Sequence, residues 1–242
     1  MYNLGIVIPT YNEKDNIVKM LDLLNSNLNN KGHKIIILIM DDSSPDGTSK
    51  IVQEYISNHK IEDITTELKV RAGKEGLATA YTQGFQYLID NYNPEFLLSI
   101  DADLSHNPKY IIPMLEKITK ENLDLVIGSR YVTGGGVENW GFVRKMLSKG
   151  GSIYAKTILG VAINDLTGGF NLYRSSIFKS IILDHIKARG YLFQIEMKYR
   201  TTKAGYKVSE YPIIFTDRIN GKSKMSKKII LEALLGVWGL RK

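Results

Sequence analysis

The chain has 242 residues, 43% of them hydrophobic, enough to bury a large core and too apolar for a disordered chain. It contains no cysteine, which excludes disulfides, thiolate metal sites and thiol nucleophiles. A formal net charge of +7 and a pI near 9.3 point to an anionic partner: nucleic acid, a membrane surface or phosphorylated substrates. No apolar run reaches the roughly 18–20 residues that a spanning helix needs. Met1 runs straight into a strand-like segment without a charged leader, so no signal peptide is expected.

Leu4–Ile8 reads as a first buried strand, closed by Pro9, whose fixed φ and missing N–H end pairing. Asn12 is expected to cap the next helix, with Asp15 in its first turn and Ile17, Met20, Leu21, Leu24 and Leu28 recurring at helical spacing. Ile35–Met40 is apolar throughout, as a parallel strand covered on both faces requires. It opens on the turn formers Asp41-Asp42-Ser43-Ser44-Pro45-Asp46-Gly47-Thr48 and a helix carrying Ile51, Val52, Tyr55 and Ile56. A third strand falls near Ile64–Val70, followed by Arg71-Ala72-Gly73-Lys74-Glu75-Gly76 and a helix with Leu77, Tyr81, Phe85 and Leu88 on its inner face. Phe96–Ile100 is a fourth strand, opening directly onto Asp101-Ala102-Asp103. Pro108 starts a helix through Ile111, Leu115 and Ile118, and Leu123–Gly128 is a fifth strand leading to Ser129-Arg130-Tyr131.

Strands alternating with helices in this way predict an α/β fold with an open, doubly wound, mostly parallel sheet. Ligands bind such sheets beyond the carboxyl ends of the strands. Tyr11, Asp42, Asp103 and Arg130 all fall just past those ends and are expected to line one crevice. Past residue 134 the pattern changes. Gly134-Gly135-Gly136 reads as a flexible turn, then a helix carries Arg144 and Ser148 four apart on one face. Leu166-Thr167-Gly168-Gly169-Phe170, a short helix from Ser175, a helix with Gln194 and Glu196, and a strand near Tyr211–Phe215 follow. Arg218, Lys222, Lys224, Lys227 and Lys228 form an acid-free basic run that suggests a phosphate or membrane patch. The apolar stretch Ile229–Leu240 reads either as a core helix or as an interfacial one. The whole is expected to be one domain: 1–133 binding the nucleotide, 134–228 building the acceptor side, and 229–242 a C-terminal amphipathic helix.

Chemistry concentrates at Asp101 and Asp103. Alternate residues of a strand point to one side, so the two carboxylates can converge at the strand's end and call for a hard divalent cation, Mg²⁺ or Mn²⁺, left partly open for diphosphate oxygens. The loop after the first strand has none of the glycines of a dinucleotide fingerprint, and no Walker A sequence occurs. Tyr11 near a base or ribose, with Glu13 or Asp42 accepting its hydrogen bonds, suits a nucleoside instead. The cations Arg130, Arg218 and Lys224 suit its phosphates, although Tyr11 taken alone is as well explained by packing.

These motifs stand in a telling order. Val7-Ile8-Pro9-Thr10-Tyr11-Asn12-Glu13, the 41–48 segment, Asp101-Ala102-Asp103-Leu104-Ser105-His106-Asn107-Pro108 and Gly128-Ser129-Arg130-Tyr131 closely resemble the motifs of dolichyl-phosphate mannose synthases in glycosyltransferase family 2. Segments 166–170, 193–197 and 217–224 extend the resemblance over nearly the whole chain. It implies a GT-A fold and an inverting transfer of mannose from GDP-mannose to a membrane polyprenyl or dolichyl phosphate, giving a β-linked product. It further implies nucleotide contacts from Pro9, Tyr11, Glu13, Met40 and Asp42, with Ala102 at the donor. Asp101 and Asp103 would hold Mg²⁺ or Mn²⁺ together with Ser105, which is shorter than the glutamine some relatives use there. Arg130, Arg218 and Lys224 would meet donor or acceptor phosphates, and Arg144 and Ser148 the acceptor phosphate at the membrane. The expected location is the cytoplasmic face of a membrane, reached peripherally, through a small anchoring subunit or through a segment beyond this chain.

An ionised phosphate acceptor is itself the nucleophile, so no general base is assigned, and Glu196 is open between a role in geometry and simple packing. The nearest rival keeps the fold and uses a UDP-sugar to make polyprenyl-phosphate glucose or N-acetylhexosamine. A nucleotidyltransferase would need a glycine-rich phosphate loop that the chain lacks. A non-catalytic membrane- or anion-binding module rests on charge alone, and no nucleic-acid-binding motif is present.

Overall fold

A computed structural model of the protein describes residues 2–181, 183, 186, 190–217 and 227–241. Arg218, Lys222 and Lys224 of the basic run lie outside them. Nine strands and seven helices alternate from β1 (Leu4–Thr10) and α1 (Ile17–Leu28) through β2 (Ile35–Asp41), α2 (Thr48–Asn58), β3 (Ile64–Val70), α3 (Leu77–Tyr92), β4 (Phe96–Ser99), α4 (Ile111–Lys120) and β5 (Leu125–Ser129) among the described residues. The second half adds β6 (Gly136–Glu138), α5 (Phe142–Leu159), β7 (Asn171–Arg174), α6 (Tyr191–Lys203), β8 (Val208–Pro212), β9 (Ile214–Thr216) and α7 (Lys227–Leu240).

Seven strands form one sheet in the order β3-β2-β1-β4-β7-β5-β8, and β6 pairs with β9 in a small second sheet. All pairings in the large sheet are parallel except those of β7, which runs antiparallel to both β4 and β5. Alternate side chains of each strand feed opposite layers. Ile35, Ile37 and Ile39 join a core with α1, α2 and α4, while Ile36, Leu38 and Met40 join a second core beneath α3, α5 and α6. The apolar positions expected on α1 are all buried: Ile17, Met20, Leu21, Leu24 and Leu28.

Several local expectations need correction. β1 does not stop before Pro9 but pairs through Thr10 with Asp41. Odd-numbered residues of β1 face β4, and that ladder ends at Val7–Ser99, so the missing Pro9 N–H forfeits no ladder bond. Asn12 caps no helix. It adopts a left-handed φ of 58°, and α1 begins only at Ile17, after a turn in which Asn16 and Ile17 donate backbone bonds to the Glu13 carbonyl. β4 ends at Ser99, before the two aspartates, and β5 starts at Leu125 rather than Leu123. Gly136 is part of β6 rather than a free turn, and the stretch around Tyr211–Phe215 divides into β8 and β9, with Ile213 buried between them. β7 is a strand that the sequence pattern did not announce.

α7 packs against the core on one side: Val237 is buried, whereas Leu235 and Trp238 are exposed, and a Cβ at Gly236 would meet the Leu192 side chain of α6. Among the described residues no helix is long and apolar enough to cross a membrane.

Candidate active site

Where β1, β2 and β4 end, the chain leaves a cavity of about 260 Å³ lined by Pro9, Tyr11, Glu13, Asp42, Lys74, Leu77, Asp101, Ala102 and Asp103, among others. Parallel strands all deliver their carboxyl ends to the same edge, which is why segments far apart in sequence meet here. Tyr11 lies under the Lys74 ammonium, 4.0 Å from its ring centroid, and Glu13 accepts a hydrogen bond from Asn16 Nδ2 at 2.8 Å. Met40, expected at the nucleotide, is buried in the core beneath α3, where a Cβ at Gly84 would come within 3.2 Å of it.

Asp42 lines the cavity but is already engaged. Arg71 binds it with Nε at 2.6 Å and with Nη2, and the Gly76 N–H reaches its Oδ2 at 3.0 Å. Both nitrogens of this buried pair meet the same oxygen, Oδ1, and with the Gly76 bond the pair ties the ends of β2 and β3 to the start of α3. The neighbouring acids shape the loop rather than the cavity: Asp41 takes bonds from Thr10 and Ser44, and Asp46 from Thr48 and the Lys14 N–H.

The acidic turn after β4 is built differently from a strand end. Asp101-Ala102-Asp103 follows a strand that stopped at Ser99, so the two carboxylates come together through the turn and not through alternation. Asp103 is buried and its Oδ1 accepts from both the N–H and the hydroxyl of Ser105. Asp101 is more open, with its side chain 34% exposed, and its Oδ1 accepts from the Tyr81 hydroxyl at 3.0 Å. Burial, followed by the Asp101 charge, pushes the Tyr81 phenol well above its ordinary range, so it stays a donor. His106 stacks on Phe170, and burial pushes its imidazole down to about 4, leaving it neutral at physiological pH. Among the described residues no three acids or histidines gather into a metal cluster. A cation here would therefore be held by Asp101 and Asp103 plus oxygens of its ligand, a hard and partly open donor set that fits Mg²⁺ or Mn²⁺.

Arg130 does not line this cavity. It is 8% exposed, with Nε and Nη2 each 2.7 Å from the Asp165 carboxylate and Nη2 also 2.9 Å from Thr167 Oγ1. Trp140, Tyr131 and Phe215 rings pack around its guanidinium. Sequence spacing missed the partner, which lies 35 residues away. Burial alone would raise the Asp165 carboxyl, but the Arg130 charge and hydrogen bonds, with the Lys198 charge, hold it down at about 2. Fully buried Lys198 donates to the carbonyls of Asp165, Leu166 and Gly168 at 3.0, 3.1 and 2.7 Å, and burial lowers its ammonium to about 7 against the pull of Asp165.

On α5, Arg144 pairs with Asp217 at 2.6 Å and lies over the Trp140 ring, while Ser148 accepts from the Tyr131 hydroxyl at 2.7 Å. A more open groove between Tyr131 and Lys149, Ile153 and Lys156 runs alongside. The outward face of α5 is apolar: Phe142, Val143, Met146, Leu147 and Ile153 are 54–75% exposed. Glu196 is buried and accepts from Arg200 one turn on, at 2.6–2.7 Å.

A mostly parallel sheet with flanking helices, ending on an acidic turn beside a cavity, defines an α/β enzyme of the GT-A type. The profile of glycosyl transferase family 2 matches residues 5–182, and the chain belongs to that family: it is a glycosyltransferase. It is 39% identical over 236 residues to an undecaprenyl-phosphate mannosyltransferase of Micrococcus luteus, covering 97% of this chain and 93% of that protein. It is 38% identical to a polyprenol monophosphomannose synthase of Mycolicibacterium smegmatis, over 98% of this chain and 86% of that one. In three dimensions it is similar to glucosyl-3-phosphoglycerate synthase from Mycobacterium tuberculosis, solved with Mn²⁺, UDP-glucose and phosphoglyceric acid (TM-score 0.65, 17% identity, 98% of this chain and 80% of that chain). A mannosyltransferase from Pyrobaculum calidifontis solved with GDP-Man and Mn²⁺ is also similar (TM-score 0.60, 13% identity, 99% and 70%). At those identities the structural likeness speaks to the fold.

Proposed function

We propose that the enzyme transfers mannose from GDP-mannose to a membrane polyprenyl phosphate with inversion, giving a β-linked polyprenyl-phosphate mannose. The observation that carries this reading is the pairing of Asp101 and Asp103 in one cavity with Tyr11 and Glu13, in a chain whose full-length curated relatives are polyprenyl-phosphate mannosyltransferases. On this reading the chain works as one catalytic domain, with residues 1–133 toward the donor and 134–228 toward the acceptor. Pro9, Tyr11, Glu13, Asp42 and Ala102 contact the nucleotide and donor. Asp42 does so from a carboxylate already oriented by Arg71. Asp101 and Asp103 hold Mg²⁺ or Mn²⁺, with Ser105 fixing Asp103. A bound divalent cation supplies charge neutralisation for the departing diphosphate.

An oxygen of the acceptor phosphate attacks the anomeric carbon as the bond from that carbon to the diphosphate oxygen breaks, the electron pair leaving on the nucleoside diphosphate. The acceptor phosphate is ionised at neutral pH, so no proton has to be removed and no general base is assigned. Arg144 and Ser148 meet the acceptor phosphate. Arg130, braced by Asp165 and packed on Tyr131, orients that side rather than lining the donor cavity. The exposed apolar face of α5 docks on a bilayer surface with lysines 145, 149 and 156 at its margin, bringing the polyprenyl phosphate within reach.

Transfer of radiolabelled sugar from GDP-mannose, UDP-glucose or UDP-N-acetylglucosamine to a polyprenyl phosphate in detergent, with Mn²⁺ or EDTA, tests the reading. Metal-dependent lipid-linked mannose from GDP-mannose alone is expected. Product from a UDP-sugar alone would overturn the mannose assignment, and nucleotide binding without any lipid product would overturn the acceptor.

A further inference from the structure

The order of the strands measures the cavity. β4, β1, β2 and β3 lie side by side and pair in parallel, so their carboxyl ends stand in a row along one edge. At a strand spacing of about 4.8 Å the row is roughly 14 Å long from β4 to β3. Asp101 and Asp103 follow β4, Tyr11 follows β1, Asp42 follows β2, and the segment from Arg71 to Gly76 follows β3. A nucleoside diphosphate whose phosphates meet a cation at Asp101 and Asp103 therefore has its base toward the β2 and β3 end.

The segment at that end is closed on itself. Buried Arg71 opens it, with Nη2 donating to the Gly76 carbonyl at 3.0 Å and Nη1 to Thr79 Oγ1 at 2.9 Å. Arg71 also binds Asp42 through Nε and Nη2, and Gly76 binds the same carboxylate through its N–H. The residues between are thereby held at the rim of the cavity, and Lys74 is one of them. Lys74 is exposed, yet its ammonium leans back over the Tyr11 ring, 4.0 Å from the centroid. Among the described residues that border the cavity it is the one cation, set beside Glu13, Asp42, Asp101 and Asp103. A cation–π contact at an exposed site is weak, so the ammonium is readily traded for a better acceptor.

We propose that Lys74 is a specificity-determining residue for the donor base: as the base settles against Tyr11, the ammonium passes from the ring to the base's edge and donates to the neighbouring acceptors O6 and N7 of guanine. Those two acceptors are what a lysine reads on guanine in general, whereas adenine sets an amino donor beside N7 and uracil offers O4 alone. Beside the diphosphate a lysine would anchor every nucleotide alike; at the base it discriminates. The inference rests on the reading of this cavity as a nucleotide-sugar site and adds what chooses the nucleotide.

Two variants test it. Lys74→Met keeps the apolar stem that covers Tyr11 and removes the donor, while Lys74→Arg keeps the charge and the donors. The readout is the ratio of GDP to UDP affinity of the purified protein with Mn²⁺, from titration calorimetry, beside the melting temperature. Loss of a positive charge weakens both diphosphates alike and leaves the ratio unchanged, so only a contact to the base moves it. Lys74→Met is expected to shrink the preference for GDP by about 10-fold, and Lys74→Arg to retain it. Both variants should melt with the wild type, because Arg71 holds the segment and Lys74 is exposed. A GDP preference left intact in Lys74→Met, whether both affinities fall equally or neither falls, overturns the inference alone. A wild-type protein that prefers UDP overturns the GDP-mannose reading and takes this inference with it.

Discussion

The two sides of the sheet's carboxyl edge treat charge in opposite ways. At the ends of β1, β2 and β4, acids line a cavity: Glu13, Asp42, Asp101 and Asp103 all border it, and Asp101 is a third exposed. Past the end of β5 two cations are folded into the protein, with Arg130 and Lys198 buried around Asp165. The first arrangement faces open space, and on the reading proposed above a cation stands between Asp101 and Asp103. The second is complete already and acts as a brace. Residue type alone therefore does not tell a binding arginine from a structural one; the partner does.

Breaking the brace carries the largest expected effect. Asp165→Asn leaves Arg130 and Lys198 buried without their counter-charge, and denaturant melts should show a loss of about 3–5 kcal/mol. Acid reaches the same pair more gently. The Asp165 carboxyl is lower in the folded chain (about 2) than its ordinary 3.8, so its contribution is complete above pH 4 and is lost as pH falls toward 2. Urea midpoints measured across that range should fall in the wild type, and the Asp165→Asn protein should lack this component.

At the cavity the expected loss is in turnover. Asp103→Asn should reduce sugar transfer by about 10²-fold or more while the protein still melts cooperatively, separating a ligand-completed site from a brace. Arg71→Lys sharpens the contrast at the cavity's edge, because it keeps the charge beside Asp42 and loses the planar guanidinium. A stability cost of about 1–2 kcal/mol and weaker nucleotide binding in titration calorimetry are expected. The smallest effect belongs to the surface of α5. Phe142→Ser with Met146→Ser should leave melting within about 0.5 kcal/mol of wild type and reduce sedimentation with anionic vesicles.

Much of the fold around the cavity was legible because it is local. Apolar periodicity marked α1, β2 and β3, and the acidic turn sits in one short run whose residue types state their chemistry. What escaped notice was joined at long range. Arg71 and Asp42 are 29 residues apart, Arg130 and Asp165 are 35 apart, and neither pair has a spacing that a single sequence can flag. Asp101 and Asp103 were expected to converge by strand alternation, whereas the strand stops at Ser99 and a turn carries both into the cavity. β7 was missed because it is only four residues long and follows two glycines, too short to show a period. α6 hides its polar residues: Gln194, Glu196 and Lys198 are all buried, which amphipathic patterning reads as solvent-facing.

The position of β7 also bears on how the molecule is made. It lies between β4 and β5, and Ser99 meets the Gly169 carbonyl across a sequence separation of 70 residues. A chain emerging from the ribosome has β1 to β5 in hand long before β7 arrives, yet β5 cannot join β4 without it. The nascent amino-terminal half thus carries an open seam with two unpaired strand edges, exposed until the centre of the sheet is supplied from the other half. The two halves of the sheet have to fold together.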